Sequence, residues 1–124
     1  MTDKKVNIND IAGIAQETNA INVFIPESAE VMQIEYKENI MADWSCMRIG
    51  DFQESEDKIF LDQNKIKSVF CISCHMNNFT FMLPHVKMLL QKYGGFIGSD
   101  SDGFQPCFSQ ENIVYFTLSD YEIL

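Results

Sequence analysis

Hydrophobic and polar residues alternate along parts of the chain, and this alternation predicts strands. Residues 31–37 place Met32, Ile34 and Tyr36 on one side and polar residues on the other, which is typical of a strand with one buried face. A helix over residues 28–41 would also gather apolar side chains on one side, so that alternative stays open. The same criteria predict further strands at residues 21–25, 44–49 and 113–118.

Mostly β-branched, aromatic and sulfur-bearing residues occupy positions 66–74, and they predict a central strand. Beyond it, apolar residues recur at spacings of three and four over residues 83–93, which predicts an amphipathic helix. Thr80 is its predicted cap, and Gly94-Gly95 its predicted end, because glycine adopts a left-handed backbone at little cost. We expect a short strand at residues 96–98 and a polar turn at residues 99–103.

Smaller elements are predicted in the first half of the chain. A short helix would begin at Asn9 or Asp10, which can cap it. Its inward side would carry Ile11, Ile14 and Ala15. Residues 51–57 are acidic and polar, which indicates an exposed loop. A brief strand at residues 59–61 and a turn at residues 62–64 are expected to follow.

Length and element order together predict the fold class. The 124 residues, of which 46% are hydrophobic, suit one domain with one core. Strands precede and follow one well-defined helix, and no linker separates two parts of the chain. We therefore predict a single α+β domain over residues 1–124, with a mixed or antiparallel sheet and one or two packed helices.

The charge of the chain limits the classes of partner that it can bind. It has 9 basic and 18 acidic residues and a net charge of −9, which argues against binding a nucleic-acid backbone. Such a charge suits a basic protein partner, although it would also serve solubility alone. No apolar run is long enough to span a bilayer, and residues 1–7 lack the apolar core of a secretory signal. We expect a cytoplasmic protein with no membrane partner and with reduced cysteines.

The motif Cys71-Ile72-Ser73-Cys74-His75 has the spacing of covalent haem attachment. The same thiols and imidazole could begin a zinc site, whose fourth ligand would be Cys46, Cys107 or His85. Neither site fits well, because a strand turns successive side chains to opposite faces and structural zinc usually draws on two close pairs of ligands. We therefore expect the four cysteines to be small buried residues, and we predict no metal or cofactor.

Catalytic residues are scarce in this sequence. Of the two histidines, His75 follows the predicted strand, and His85 is expected on the surface or boundary of the helix. A dyad of His85 with Cys74 or Cys107 stays open, because dyads form in space rather than in sequence. No nucleophile elbow, phosphate loop or dinucleotide fingerprint is present. We predict that the protein is not an enzyme.

One stretch near the carboxyl end resembles a known group of proteins. Lys92-Tyr93-Gly94-Gly95-Phe96-Ile97-Gly98 is followed by the acidic turn Ser99–Gly103 and by Phe104-Gln105-Pro106. This order resembles a pattern in small bacterial proteins, some of which are immunity partners of polymorphic or contact-dependent toxins. The resemblance covers about the last third of the chain. It implies a protein that binds and blocks a toxin domain, and it brings no catalytic residues with it.

Our leading hypothesis is an immunity-type inhibitor that occludes a cognate toxin domain, such as a nuclease with a basic active-site surface. Carboxylates would stand in for substrate phosphates, and aromatic side chains would anchor the complex. The candidate partner-binding residues are Phe52, Glu54, Glu56, Asp57, Asp100, Asp102 and Phe104. The alternatives are a metal- or haem-binding protein that uses Cys71, Cys74 and His75, and a small enzyme with a Cys–His pair.

Overall fold

The chain combines α-helices with an antiparallel sheet in an α+β arrangement, as predicted. The computed structural model describes residues 1–18, 20–25, 30–74, 76–99 and 102–113. The α-helices are α1 (Ile8–Glu17), α2 (Ser55–Gln63) and α3 (Leu83–Tyr93). The strands are β1 (Ala20–Phe24), β2 (Val31–Tyr36), β3 (Ile40–Met47), β4 (Val69–Ser73), β5 (Ile97–Gly98) and β6 (Cys107–Phe108). Short 3-10 turns lie at Lys37–Asn39, Ile49–Asp51, Met76–Met82 and Asp102–Phe104.

Strands β1 to β4 form one antiparallel sheet in the order β1-β2-β3-β4. Each strand pairs with its neighbour in sequence, and the pairing places Trp44 between Met32 and Ile72. The strand predicted at residues 21–25 corresponds to β1, and the one predicted at residues 44–49 corresponds to the second half of β3. The sheet is therefore antiparallel rather than mixed.

Strand β4 lies at an edge of the described sheet, so the prediction of a central strand at residues 66–74 is wrong. The strand is apolar because three of its five residues pack against other elements, whereas Cys71 and Ser73 are exposed. Val69 is buried against α2, whereas Phe70 and Ile72 pack against the residues between the sheet and α3. A run of apolar residues signals burial, and it does not tell whether a second strand or other elements provide that burial.

The sheet buries one face in its first strands. Met32, Ile34 and Tyr36 are fully buried on β2, whereas Val31 and Gln33 between them are exposed. This alternation confirms the strand, and the alternative of a helix over residues 28–41 is wrong. On the outer face, polar side chains join neighbouring strands. One such pair is Asn22 with Glu35, and another is Gln33 with Asp43.

Helix α1 has its cap two or three residues before the predicted caps, Asn9 and Asp10. Asn7 is the cap residue, and its Oδ1 accepts a hydrogen bond from the backbone N–H of Asp10 at 3.0 Å. The carboxylate of Asp10 accepts in return from the backbone N–H of Asn7 at 3.0 Å. This reciprocal capping box satisfies two backbone donors that a helix start would otherwise leave unpaired. The buried side of α1 consists of Ile8, Ile11, Ala12, Ile14 and Ala15.

Helix α3 has nearly the predicted bounds, but its start and its buried side differ from the prediction. Met82 is the cap position without a side-chain hydrogen bond, and Thr80 lies in the preceding 3-10 turn. Gly94, with a φ of 71°, ends the helix as expected. His85 is fully buried beside Val86, so its predicted place on the surface or boundary is wrong. The helix contacts both the sheet and α1, and this second contact widens its buried side to include His85.

Helix α2 occupies residues 55–63, where the sequence predicted the end of a loop, a brief strand and a turn, so those predictions are wrong there; residues 52–54 do lie outside helices and strands. Its apolar residues do not form a clear stripe, because Ile59 is 54% exposed whereas Leu61 is buried. The helix packs against the Asp102–Phe104 turn instead of lying along the sheet. Its stability therefore depends on a contact with a distant part of the chain, and local periodicity does not reveal such a contact.

The carboxyl-terminal part contains a small second sheet. Strands β5 and β6 pair in antiparallel fashion, with Ile97 opposite Phe108. The short strand predicted at residues 96–98 thus corresponds to β5. Ile113 is buried but belongs to a turn, and residues 114–118 of the last predicted strand lie outside the described residues.

Buried apolar residues form two clusters. The major cluster fills the space between the sheet and helices α1 and α3; its residues are Ile8, Ile11, Ala12, Ala15, Met32, Ile34, Tyr36, Ala42, Trp44, Phe79, Met82, Val86, Leu90 and Ile113. The minor cluster consists of Leu61, Ile66, Val69 and Phe104, with Met1, Met47, Phe52, Phe60 and Phe96 partly buried around it. The candidate site residues of the 52–57 segment lie at the minor cluster.

Candidate functional site

Two acidic segments that are far apart in sequence meet at the start of α2. The carboxylate Oδ1 of Asp57 accepts a hydrogen bond from the backbone N–H of Gly103 at 2.8 Å, across 46 positions of the chain. Gly103 has a φ of +67°, and a Cβ at this position would come within 3.8 Å of the Cβ of Glu56. The structure thus brings the predicted residues of the 52–57 segment together with the turn at Asp102–Phe104. We call this region the acidic surface.

The carboxylates at the start of α2 differ in their surroundings. Glu54 is the cap residue of the helix and makes no side-chain cap, and both Glu54 and Glu56 are exposed. Asp57 is half-buried, because its carboxylate faces Gly103. The backbone of Asp102 belongs to the adjoining turn, whereas Asp100 lies outside the described residues. Acidic side chains in a first turn also interact favourably with the helix dipole.

The two aromatic candidates, Phe52 and Phe104, differ in how far they are buried. Phe104 is only 8% exposed, and its ring makes edge-to-face contacts with Phe52 and Phe60 at centroid distances of 5.4 and 5.5 Å. It supports the acidic surface from below, and its ring is committed to the protein's own core. Phe52 is half-buried and is thus the aromatic candidate that a partner can reach.

The acidic surface is not neutralised from within the described part of the chain. There, the one ion pair joins Lys4 and Asp3, and none involves Asp51, Glu54, Glu56 or Asp57. The neighbouring surface has the opposite charge, because a shallow depression beside α2 is lined by Lys58, Lys65 and Lys67 together with Asp62. The negative field is therefore local, and it has a basic border.

A buried polar group that the sequence did not predict lies at the centre of the major cluster. His85 Nδ1 is 2.8 Å from the hydroxyl of Tyr36, and His85 Nε2 is 3.1 Å from the carbonyl oxygen of Ile11. A carbonyl can only accept, so Nε2 carries the proton and donates to it, and Nδ1 accepts from Tyr36. The imidazole is thus held in one neutral tautomer, and it joins α1, β2 and α3.

Burial shifts the ionisation of this group. It lowers the pKa of His85 to about 4, although the hydrogen bond to Ile11 opposes this shift. It also raises the pKa of Tyr36 far above its usual value. The indole ring of Trp44 lies 4.8 Å from the imidazole, and its buried Nε1 has no hydrogen-bond partner of normal geometry although it lies near the Tyr36 hydroxyl. The one sequence signal for this group is a histidine placed directly before an inward-facing residue, Val86.

The four cysteines do not pack as small core residues, contrary to the prediction. Cys46 and Cys71 are exposed, and Cys74 and Cys107 are half-buried. Burial raises the pKa of the Cys74 thiol, so this thiol is less reactive than a free one. Cys71 alternates along β4 with the half-buried residues Phe70 and Ile72, so its side chain lies on the opposite face of that strand.

Neither of the alternative chemistries finds a formed site in the described ranges. Both ring nitrogens of His85 are hydrogen-bonded to groups other than thiols, which leaves no nitrogen to activate Cys74 or Cys107. Three or more side chains of the types that bind metals do not converge anywhere within the described residues. His75, the imidazole of the Cys-x-x-Cys-His motif, lies outside them.

An apolar cavity of about 340 Å³ separates β4 from α3 and β5. It borders both clusters, with Trp44 and Val86 from the major cluster and Val69 and Phe104 from the minor one. Near it, the amino group of Met1 donates a hydrogen bond to the carbonyl oxygen of Phe96 at 2.8 Å, and burial lowers the pKa of that amino group to about 6.

Comparison with known proteins gives no relative for this chain. No protein family, curated protein or solved structure matches it. The resemblance of residues 92–106 to immunity proteins therefore stays a prediction. None of the helices in the described ranges has the length and hydrophobicity needed to cross a membrane.

Proposed function

We propose that the protein is an immunity-type inhibitor that binds a cognate toxin domain through its acidic surface and occludes the basic site of that domain. The observation that supports this proposal is the hydrogen bond between Asp57 and Gly103, which brings the turn that contains Asp102 to the acidic start of α2. A nuclease is the expected target class, since its phosphate-binding site is basic and the carboxylates can take the place of phosphates.

Electrostatics favours this surface as the one that meets the partner. The carboxylates of Glu54 and Glu56 are exposed and form no ion pair within the described part of the chain. With a net charge of −9, the protein would attract a basic partner over a distance of about 10 Å at 0.1 M salt. Complementary charge of this kind raises association rates and excludes acidic proteins as partners.

Tertiary contacts hold the backbone of this surface in place before binding. Asp57 is bonded to the backbone of Gly103, and the Phe52, Phe60 and Phe104 rings pack beneath it. Because the acidic residues stand on a helix and a braced turn, little conformational entropy is lost when a partner binds. The half-buried ring of Phe52 offers an apolar contact at the border of the charged residues.

Co-purification from the source cells tests the proposal. The wild-type chain is expected to capture a basic protein at low salt and to release it at high salt, and co-expression is expected to relieve the toxicity of that protein. The double variant Glu54→Lys/Glu56→Lys reverses two charges of the acidic surface and should lose capture. The control Glu17→Lys/Glu30→Lys changes the net charge equally at exposed positions elsewhere, and should keep it.

Two results would overturn the proposal. One is an equal loss of capture in the Glu17→Lys/Glu30→Lys control and in the Glu54→Lys/Glu56→Lys variant, because the effect would then follow net charge alone. The other is a captured protein that is neither basic nor toxic. A reversed charge in the first turn of α2 weakens its interaction with the helix dipole and could destabilise the helix. Circular dichroism of both double variants therefore checks that they are folded.

A further inference from the structure

The cavity beside β4 is walled by apolar side chains from several elements. Phe70 and Ile72 come from β4, Leu89 comes from α3, and Phe96 comes from the segment before β5. Among the described residues that line it there is no aspartate, glutamate, lysine, arginine or histidine. We infer that this cavity is a binding site for a small, neutral, apolar molecule of the size of a bicyclic aromatic compound.

Three hydroxyl groups along the cavity, those of Thr2, Ser68 and Ser99, are already hydrogen-bonded within the protein. Thr2 Oγ1 donates to the carbonyl oxygen of Tyr93 at 2.9 Å, and Ser68 Oγ donates to the carbonyl oxygen of Lys4 at 2.8 Å. Ser99 Oγ likewise donates to a backbone carbonyl oxygen. A charged or strongly polar ligand would find few free partners here and would lose its hydration, which is costly. The cavity therefore selects for molecules without charge.

The thiols along the cavity show where it opens. Burial raises the pKa of the Cys74 thiol, which stays protonated at neutral pH. Cys71 lines the cavity and is at the same time exposed to solvent, so the cavity reaches the surface beside β4. A ligand can therefore enter along this edge of the sheet without unfolding the core.

The volume of the cavity sets the size of the ligand. An apolar cavity of about 150 Å³ accommodates benzene. The space beside β4 measures about 340 Å³, and thus has room for two fused aromatic rings. This volume falls at the lower end of the range that is typical of ligand pockets in proteins. Larger ligands with several rings would not fit without repacking the walls.

Nuclear magnetic resonance of the full chain tests this inference. The protein has one tryptophan, Trp44, and this residue lines the cavity, so the indole Nε1–H signal reports on it without overlap. Naphthalen-1-ylmethanol is the neutral probe, and naphthalene-1-sulfonate is the charged comparison of the same ring size. We expect the neutral probe to shift the indole signal in a saturable manner, and the sulfonate to leave it unchanged.

Variants that fill the cavity complete the test. Leu89→Phe on α3 and Ile72→Phe on β4 enlarge two opposite walls, and each should weaken binding of the neutral probe at least tenfold. Ile21→Phe adds the same ring at an exposed position of β1, at the opposite edge of the sheet from β4, and should leave the affinity unchanged. The melting temperature of each variant establishes that it is folded. Because there are two independent filling variants, the test still holds if one of them does not fold.

Three outcomes would overturn the inference. They are the absence of a saturable shift with the neutral probe, equal binding of the sulfonate, and an affinity that neither filling variant reduces. None of the carboxylates at the start of α2 lines this cavity. Failure of the ligand site would therefore leave the proposal for the acidic surface untouched, and failure of that proposal would leave the ligand site untouched.

Discussion

At the scale of single residues, the imidazole of His85 connects more elements than its place on one helix suggests. It accepts from Tyr36 on β2 and donates to Ile11 on α1, so one side chain fixes the position of α3 against both. The bond from Tyr36 requires the neutral form, because a proton on Nδ1 would remove the acceptor that the Tyr36 hydroxyl uses. The stability of the core is therefore linked to the protonation of this ring.

The pH dependence of stability should carry the signature of His85. Its pKa is about 4 in the folded protein, against an ordinary value of 6.5, so the folded state binds fewer protons than the unfolded chain between these values. Burial of the neutral ring therefore contributes about 3 kcal/mol to the free energy of unfolding above pH 6.5, and this contribution is lost as the pH falls toward 4. Urea unfolding of the wild type at pH steps from 7 to 4 measures it.

The variant His85→Gln is the matched control, because glutamine can both donate and accept but does not titrate. Its free energy of unfolding should be lower at pH 7 and should change less between pH 7 and pH 4 than that of the wild type. An equal slope in both proteins would show that carboxylates elsewhere, and not His85, cause the acid sensitivity.

At the scale of elements, the contact between α2 and the Asp102–Phe104 turn joins structure to the proposed function. Helix α2 has few buried residues of its own, and its partner turn is short. The Asp57 carboxylate accepts from Gly103, and the Phe60 and Phe104 rings pack edge to face. Each piece alone would be marginal, because a short helix is stabilised mainly by tertiary packing.

Removing the Asp57 carboxylate should loosen both pieces together. We expect Asp57→Ala to lower the free energy of unfolding by about 1–2 kcal/mol, since a backbone donor loses its charged acceptor at a half-buried site. Asp62→Ala, at an exposed position of the same helix, is the control and should change stability by less than about 0.5 kcal/mol. The Gly103 amide proton should exchange faster in Asp57→Ala alone; similar unfolding energies for the two variants would contradict this account.

The sequence predicted those elements whose own pattern of hydrophobic and polar residues is enough to identify them. Strand β2 and helix α3 follow from alternation and from spacings of three and four, and both are confirmed. Helix α2 could not be predicted, because its ring at Phe60 packs against Phe104, which is more than forty positions away in sequence. The burial of His85 was likewise hidden, since its partners Tyr36 and Ile11 are distant in sequence.

The candidate site was predictable in part for the same reason. Composition alone identified the acidic residues Glu54, Glu56 and Asp57 as exposed or half-exposed groups. It could not show that Gly103 binds Asp57, nor that Phe104 is buried beneath the surface that it was expected to present. Local charge is visible in a sequence, whereas the convergence of charged segments depends on the tertiary fold.

At the scale of the whole molecule, the two clusters divide the structure into a larger and a smaller part. The major cluster lies between the sheet and helices α1 and α3, and the minor cluster lies between α2, β4 and the Asp102–Phe104 turn. The 340 Å³ cavity lies between them, so few apolar contacts link the two parts there. The acidic surface belongs to the smaller part.

Native-state hydrogen exchange should therefore separate the two parts. The amides of β2 and β3 should exchange most slowly, at the rate of global unfolding, because both strands pair on two sides and bury the largest side chains. The amides of α2 should exchange faster through a partial opening of the minor cluster, in which four of the described residues are buried. If α2 and β2 instead exchanged with one free energy of opening, the clusters would form a single cooperative unit. Binding of a basic partner should slow exchange in α2 more than in β2, because the proposed contact surface stands on the less stable part.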